Sequence, residues 1–75
     1  MKRNLLRKRR ITEGLTITEL ARLSNVSTKV ISQTERFLND PTEVTKRKIV
    51  NGLNVAHKGK PYEFEHLFPS TEGEE

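Results

Sequence analysis

The sequence contains no cysteine and no tryptophan, and its 75 residues include only one methionine and one tyrosine. The absence of cysteine excludes disulfide bonds, thiolate nucleophiles and cysteine-ligated zinc. It also fits a reducing compartment, so we expect a cytoplasmic protein. No apolar run is long enough to cross a bilayer, and the basic segment 1–10 lacks the apolar stretch of a secretory signal. We therefore expect no membrane partner.

The chain also has little that would support catalysis or bind a cofactor. Its two histidines, His57 and His66, are separated by a segment of irregular pattern. No nucleophile motif, phosphate-binding loop or pair of metal ligands accompanies them. A chain of this length is near the lower limit for a single hydrophobic core. We expect one small domain that is not an enzyme and uses no cofactor and no metal.

Charge is distributed unevenly along the chain. Residues 1–62 hold all 14 Lys and Arg against five acids, a net charge of +9, whereas residues 63–75 hold five acids and no Lys or Arg. A basic body of this kind favours a polyanionic partner, because Lys and Arg that contact phosphates release condensed counterions. The alternative is a basic surface that is merely solvated.

Capping signals predict the first two helices. Asn4 can cap a helix that runs to about Glu13, and Gly14 follows where helices commonly end in a left-handed residue. Thr16 and Glu19 have the spacing of a capping box at the start of the second helix. The apolar side of that helix would consist of Ile17, Leu20 and Ala21.

Capping residues predict two further helices in the same way. Asn25 suits a sharp turn because it tolerates the left-handed conformation, and Ser27 then caps a helix over 28–36. Thr42 caps a fourth helix from about 43 to 53, and Gly52 is expected to lower the stability of that helix. The inward residues would be Val30, Ile31 and Thr34 in the third helix and Val44, Ile49 and Leu53 in the fourth.

The C-terminal part of the chain is less regular. Residues 57–68 contain an aromatic and aliphatic cluster of Tyr62, Phe64, Leu67 and Phe68. Its spacing fits either a short helix, which we favour slightly, or a strand. The cluster either folds back onto the fourth helix or forms a surface for a second copy or a protein partner. Residues 69–75 are expected to be a disordered acidic tail, after a domain over 1–56.

The stretches "GLTITELARLSNVSTKVISQTER" and "NDPTEVTKRKIVNGLNV" resemble the phage repressor/Cro-like (lambda repressor-like) helix-turn-helix domains. The resemblance covers roughly residues 5–55, with cap, small residue, turn and aliphatic positions recurring in register. It implies an all-α, compact bundle of four or five short helices. It also implies that the helix at about 28–36 lies in the major groove of double-stranded DNA.

The resemblance, together with helical spacing, gives candidate DNA contacts. The base-reading residues would be Thr28, Lys29, Ser32 and Gln33, which share one side of the third helix. Phosphate contacts would come from Thr16, Ser27, Arg7, Lys8, Arg9 and Arg36. The resemblance further implies a structural ion pair between Arg10 and Glu35.

One of the departures from the family pattern concerns the end of the third helix. Many relatives have glycine where this chain has Phe37, so we expect Asn39 or Asp40 to take the turn after the third helix. Domains of this family commonly bind as dimers, which makes a homodimer a possible form.

The predicted function is sequence-specific double-stranded DNA binding by a transcriptional repressor. The alternative is a protein-interaction module of the same fold, antitoxin-like or coactivator-like, that acts through the C-terminal aromatic segment.

Overall fold

The described part of the chain is all-α, as predicted. The computed structural model describes residues 3–69, so the predicted acidic tail lies outside the described residues except for Pro69. The helices are α1 (Leu6–Thr12), α2 (Ile17–Ser24), α3 (Thr28–Glu35), α4 (Glu43–Ala56) and α5 (Phe64–Leu67). None of the described helices combines the length and the apolar content that crossing a bilayer requires.

Three of the predicted helix caps are confirmed. The Thr16 hydroxyl accepts a hydrogen bond from the Glu19 backbone N–H at 3.0 Å, and the Glu19 carboxylate accepts one from the Thr16 N–H at 2.8 Å, which completes a capping box. Ser27 and Thr42 cap α3 and α4 through their hydroxyls. These local bonds fix where each helix begins.

The prediction that Asn4 caps α1 is wrong. Leu5 occupies the N-cap position, and no side chain makes a capping hydrogen bond there. Asn4 instead bridges two elements. Its side-chain oxygen accepts from the Leu6 N–H at 3.0 Å, and its amide donates to the backbone oxygen of Thr34 at 3.0 Å. Asn4 thus attaches the start of α1 to the end of α3.

Helices α1, α2 and α3 are each followed by a residue in the left-handed conformation, and the residue after it donates a backbone hydrogen bond back to the helix. The left-handed residues are Gly14, Asn25 and Phe37, with φ angles of 73°, 59° and 61°. In each case the next residue's N–H donates to a carbonyl five positions back, as in Leu38 to Gln33 at 2.9 Å. Gly14 and Asn25 were predicted for this role.

The predicted turn at Asn39 or Asp40 is wrong, since Phe37 itself takes the left-handed conformation. This backbone costs a residue with a Cβ about 1–2 kcal/mol. The two hydrogen bonds that close the end of α3 offset part of that cost. The Phe37 ring is half-buried, and the Arg3 guanidinium lies 5.9 Å from its centroid.

The core lies between α2 and α4 and is completed by the other three helices. Its fully buried aliphatic residues are Leu6, Leu20, Ile31, Ile49, Leu53 and Leu67. The prediction that Val44 faces inward is wrong, because Val44 is 66% exposed. It precedes Ile49 by five residues, which rotates it by about 140° from the buried side of α4.

Gly52 lies at a close contact between α4 and α2. A Cβ built on Gly52 would lie 2.1 Å from the Ser24 Oγ and 2.9 Å from the Ser24 Cα. The glycine that the sequence suggested as a weak point of α4 is therefore what lets the two helices pack.

The C-terminal segment folds back onto the bundle. Leu67 is fully buried and Phe68 is 6% exposed, and the Leu5 N–H donates to the Leu67 carbonyl at 3.0 Å. The Asn54 side chain makes two hydrogen bonds to the backbone of Tyr62, of 2.7 and 3.1 Å. Residues 64–67 are helical, as favoured, so this segment belongs to the same packed unit as residues 3–56.

Candidate nucleic-acid interface

Helix α3 has a buried side and a polar side. Ile31 and Thr34 are fully buried, and Glu35 is also buried. At about 100° per residue, those three positions span one arc of the helix, and Thr28, Lys29, Ser32 and Gln33 span the opposite one. Thr28 and Lys29 are exposed, while Ser32 and Gln33 are partly buried. We call these four residues the α3 polar surface, and they are the four predicted base-reading residues.

The α3 polar surface carries no carboxylate, because the only acid of α3 points into the protein. The Glu35 carboxylate receives two hydrogen bonds from the Arg10 guanidinium, Nε to Oε2 at 2.5 Å and Nη2 to Oε1 at 3.0 Å. Arg10 also donates to the Leu15 backbone oxygen at 2.8 Å. The predicted Arg10–Glu35 pair is thus present, and both charges are removed from the surface.

The N-termini of α2 and α3 differ in a way that bears on phosphate binding. At α2, the Glu19 carboxylate occupies the capping box beside Thr16, so an acid already interacts with the positive end of that helix. At α3, Ser27 caps alone and the first turn contains no acid. The N–H groups of the first turn of α3 therefore suit an anion better than those of α2.

Arg36 directly follows α3, and helical spacing on α1 places Arg7 nearer to α3 than Lys8 or Arg9. Arg36 is exposed and directly follows α3. Arg7 is exposed and precedes the α3-bound Arg10 by three residues, which puts both on neighbouring parts of α1. Lys8 is two residues from Arg10 and points to the opposite side of α1, and the Arg9 Nε donates to the Nε2 of His66 at 3.0 Å.

The sequence did not indicate Arg3 as a candidate. Its guanidinium lies over the ring of Phe37, at the end of α3, so the exposed basic side chains beside α3 are Arg3, Arg7 and Arg36. The only signal available in the sequence was that Arg3 belongs to the basic N-terminal run.

No protein-family model matches the sequence, and neither a curated protein nor a solved structure matches the chain.

The predicted partner surface is largely buried within the chain. Leu67 and Phe68 belong to the core, and Tyr62 and Phe64 are half-buried against it. The Arg47 guanidinium lies 4.8 Å from the ring centroid of Phe64, which covers part of that ring. Of the two alternatives for this segment, the structure shows the fold back onto the bundle, and Leu67 and Phe68 are not exposed to a partner.

A second polar cluster lies where α1 meets the C-terminal segment, and the sequence did not predict it. The Glu13 Oε2 accepts from the Tyr62 hydroxyl at 2.6 Å and lies 2.6 Å from the Nδ1 of His57. The Tyr62 ring stacks on His57 with a centroid separation of 4.3 Å, and His66 lies parallel to Tyr62 at 5.9 Å. No group of three or more His, Asp or Glu side chains within residues 3–69 is arranged to hold a metal ion.

This cluster shifts two pKa values in opposite directions. The hydrogen bond from Tyr62 lowers the pKa of Glu13 below its ordinary value of 4.5, and His57 acts in the same direction against the opposing effect of burial. Burial raises the pKa of Tyr62 above its ordinary value of 10.0, and the hydrogen bond to Glu13 adds to the rise. Both shifts favour the ionised carboxylate beside the neutral phenol.

Tyr62→Phe is expected to lower the free energy of unfolding by about 1.5 kcal/mol near neutral pH, because a hydrogen bond to a charged acceptor is lost. The contribution from the lowered pKa of Glu13 is present above about pH 4.5 and is lost as the pH falls through the folded-state pKa. Urea unfolding at about pH 7 and about pH 3 should therefore show a smaller difference between the native chain and Tyr62→Phe at the acidic pH. An equal difference at both pH values would refute this coupling.

Proposed function

We propose that the chain is a sequence-specific double-stranded DNA-binding regulator of transcription, a repressor of helix-turn-helix type whose α3 reads the major groove. The observation that carries the proposal is the α3 polar surface, from which the only carboxylate of the helix is withdrawn into the Arg10–Glu35 pair. A helix that enters the major groove passes between two rows of phosphates, so an exposed acid there would oppose binding.

The chemistry of the α3 polar surface fits base edges. Gln33 can donate to and accept from adenine, and Lys29 can donate to guanine O6 and N7. Thr28 can contact a thymine methyl or a phosphate, and Ser32 can donate or accept. The capped N-terminus of α3 supports a phosphate contact at Ser27, whereas the capping box of α2 makes Thr16 the weaker phosphate candidate.

Backbone contacts are assigned to the three arginines beside α3, which are Arg3, Arg7 and Arg36. Each is exposed, and none forms an ion pair within residues 3–69. Side chains that contact phosphates raise affinity for all sequences alike and hold the reading helix in place. If two copies bind together, their α3 helices would have to lie about 34 Å apart to meet successive major grooves.

The alternative of a protein-interaction module acting through the C-terminal segment has less support. It requires an exposed aromatic surface, and that segment supplies Leu67 and Phe68 to the core of its own chain and packs Tyr62 and Phe64 against it, half-buried.

The first experiment is selection from a randomised duplex library at several salt concentrations. The native chain is compared with the double variant Lys29→Ala, Gln33→Ala. Each well-formed base contact contributes about 1–3 kcal/mol of discrimination. We therefore expect the double variant to lose at least about tenfold in sequence preference while its nonspecific binding still weakens with salt.

The matched control is Lys58→Ala, Asn51→Ala, which removes the same charge and one amide from exposed positions outside α3. It should keep the enriched motif. A second pair of variants, Arg7→Ala and Arg36→Ala, should weaken binding to all duplexes and reduce the salt slope by about one unit each. The proposal fails if the native chain enriches no motif, or if the control pair is as damaging as the α3 pair.

A further inference from the structure

An open cleft of about 630 Å³ lies between α1 and the segment that joins α4 to α5. Its volume is within the range of small-molecule sites. It is on the side of α1 that carries Arg9, whereas Arg10 of the same helix is turned toward α3. The cleft includes both histidines and the single tyrosine of the chain, and its lining is completed by Lys60, Thr12, Pro61 and Glu63.

The cationic groups of the cleft have unused hydrogen-bond donors. Arg9 is half-buried and held by its Nε bond to His66, with its guanidinium 6.0 Å from the centroid of the Tyr62 ring. Its two terminal amino groups have no partner within residues 3–69. Lys60 is exposed and likewise has no hydrogen bond or ion pair in that range. A guanidinium that is already held in place loses little freedom when it binds a ligand.

The carboxylate of Glu13, which contacts two residues of the cleft lining, already has hydrogen-bond partners. Glu13 Oε2 accepts the Tyr62 hydroxyl and contacts His57, and it forms no ion pair with Arg9 or Lys60. The one acid that lines the cleft, Glu63, is exposed at its rim. Gly59 brings the loop against His57, since a Cβ there would lie 3.2 Å from the histidine Nε2, and this close approach places Lys60 at the cleft.

We propose that this cleft binds a phosphate group, held by Arg9 and Lys60 with the imidazole of His57 beside them. Arginine forms paired hydrogen bonds to phosphate oxygens, and a second cation matches the second negative charge of a phosphate monoester. The inference is independent of DNA reading by α3, because none of the cleft residues belongs to α3.

The test is a titration of the full chain with inorganic phosphate and with phenyl phosphate, followed by NMR of the histidine ring protons. The chain has two histidines, and both line the cleft, so every histidine signal reports on the site. Chloride at matched ionic strength serves as the reference for simple screening. We expect saturable shifts with phosphate and none with chloride.

The matched variants are Lys60→Gln and Lys58→Gln. Both residues are exposed and two positions apart, but only Lys60 lines the cleft. Lys60→Gln should weaken phosphate binding about fivefold and Lys58→Gln should leave it unchanged. Arg9→Lys keeps the charge but loses the paired donors, and it should weaken binding about tenfold. Glu63→Gln should strengthen binding, because it removes the only carboxylate of the lining.

A duplex of arbitrary sequence distinguishes the two sources of phosphate. If the duplex shifts the same histidine signals and competes with phenyl phosphate, the ligand is the DNA backbone. If only the small phosphates shift them, the ligand is a small phosphorylated molecule. Both results keep the phosphate site. Shifts that do not saturate, or equal weakening by Lys60→Gln and Lys58→Gln, would overturn it.

Discussion

Gly52→Ala is expected to lower the free energy of unfolding by about 3 kcal/mol, which is a large part of what a small domain has. The added methyl would overlap the Ser24 Oγ, and the Ser24 Cα and N are also within 2.9 Å. Since two of those three atoms belong to the backbone, no side-chain rotation relieves the overlap and α2 must move away from α4. The higher helix propensity of alanine, about 1 kcal/mol, offsets only part of the loss.

Urea unfolding followed by circular dichroism measures this effect. The control is Asn51→Ala, an exposed neighbour on the same helix, which should be neutral or slightly stabilising. Adding Ser24→Ala to Gly52→Ala should recover part of the loss, because it removes the nearest atom. Ser24→Ala alone should cost little, since the buried Ser24 Oγ has no hydrogen-bond partner within residues 3–69. If Gly52→Ala matches the native chain, α2 and α4 do not pack as described.

Glu35→Gln is expected to cost about 3 kcal/mol. The Glu35 side chain is 3% exposed and that of Arg10 is 12% exposed. The substitution would leave the Arg10 charge poorly compensated in a place that water hardly reaches. The Leu15 carbonyl alone cannot replace a carboxylate that accepts two charge-assisted hydrogen bonds.

Chemical denaturation of Glu35→Gln and of Glu43→Gln compares the loss of a carboxylate from a buried ion pair with the same loss from an exposed ion pair. The Glu43–Arg47 pair also has a 2.6 Å contact, but its two side chains are 67% and 60% exposed, so its loss should cost under about 0.5 kcal/mol. Replacing both members of the buried pair, Arg10→Met with Glu35→Leu, should restore most of the stability because no charge is left unpaired. Equal losses for Glu35→Gln and Glu43→Gln would contradict a stabilising role for the buried pair.

Helix boundaries were the part of the fold most open to sequence reasoning, because caps depend on residues three or four positions apart. Thr16 with Glu19, and Ser27 alone, specify their helix starts by local hydrogen bonds. Asn4 has the same chemistry, but its amide is used for a contact with the distant Thr34. A tertiary contact of this kind leaves no trace in local spacing.

The roles of Phe37 and Gly52 also could not be predicted from local sequence, because each residue occupies a position that its local preference disfavours. By local preference, Asn39 or Asp40 is a better left-handed residue than phenylalanine, and Gly52 is a poor helix former. The structure uses each residue against its local preference, because the end of α3 and the approach of α4 to α2 are set by packing. Such positions are visible only once the distant elements are in place.

For the candidate interface, helical periodicity was enough to put Thr28, Lys29, Ser32 and Gln33 on one surface. It was not enough to place the basic residues of α1, since adjacent positions there face different neighbours. Arg10 pairs with α3 and Arg9 with the C-terminal segment. The cluster of Glu13, His57 and Tyr62 could not be predicted, because its members are up to 49 residues apart.

The hydrogen bond between Leu5 and Leu67 joins the residue that precedes α1 to the last residue of α5. A linker that joins the chain ahead of Asn4 to the chain after Phe68 would close it into a ring and keep both of those residues, and the ring could be reopened in the exposed loop at Asn39 and Asp40. A circular permutant made in this way would keep every helix and every core contact while reversing the order in which α3 and α4 are synthesised.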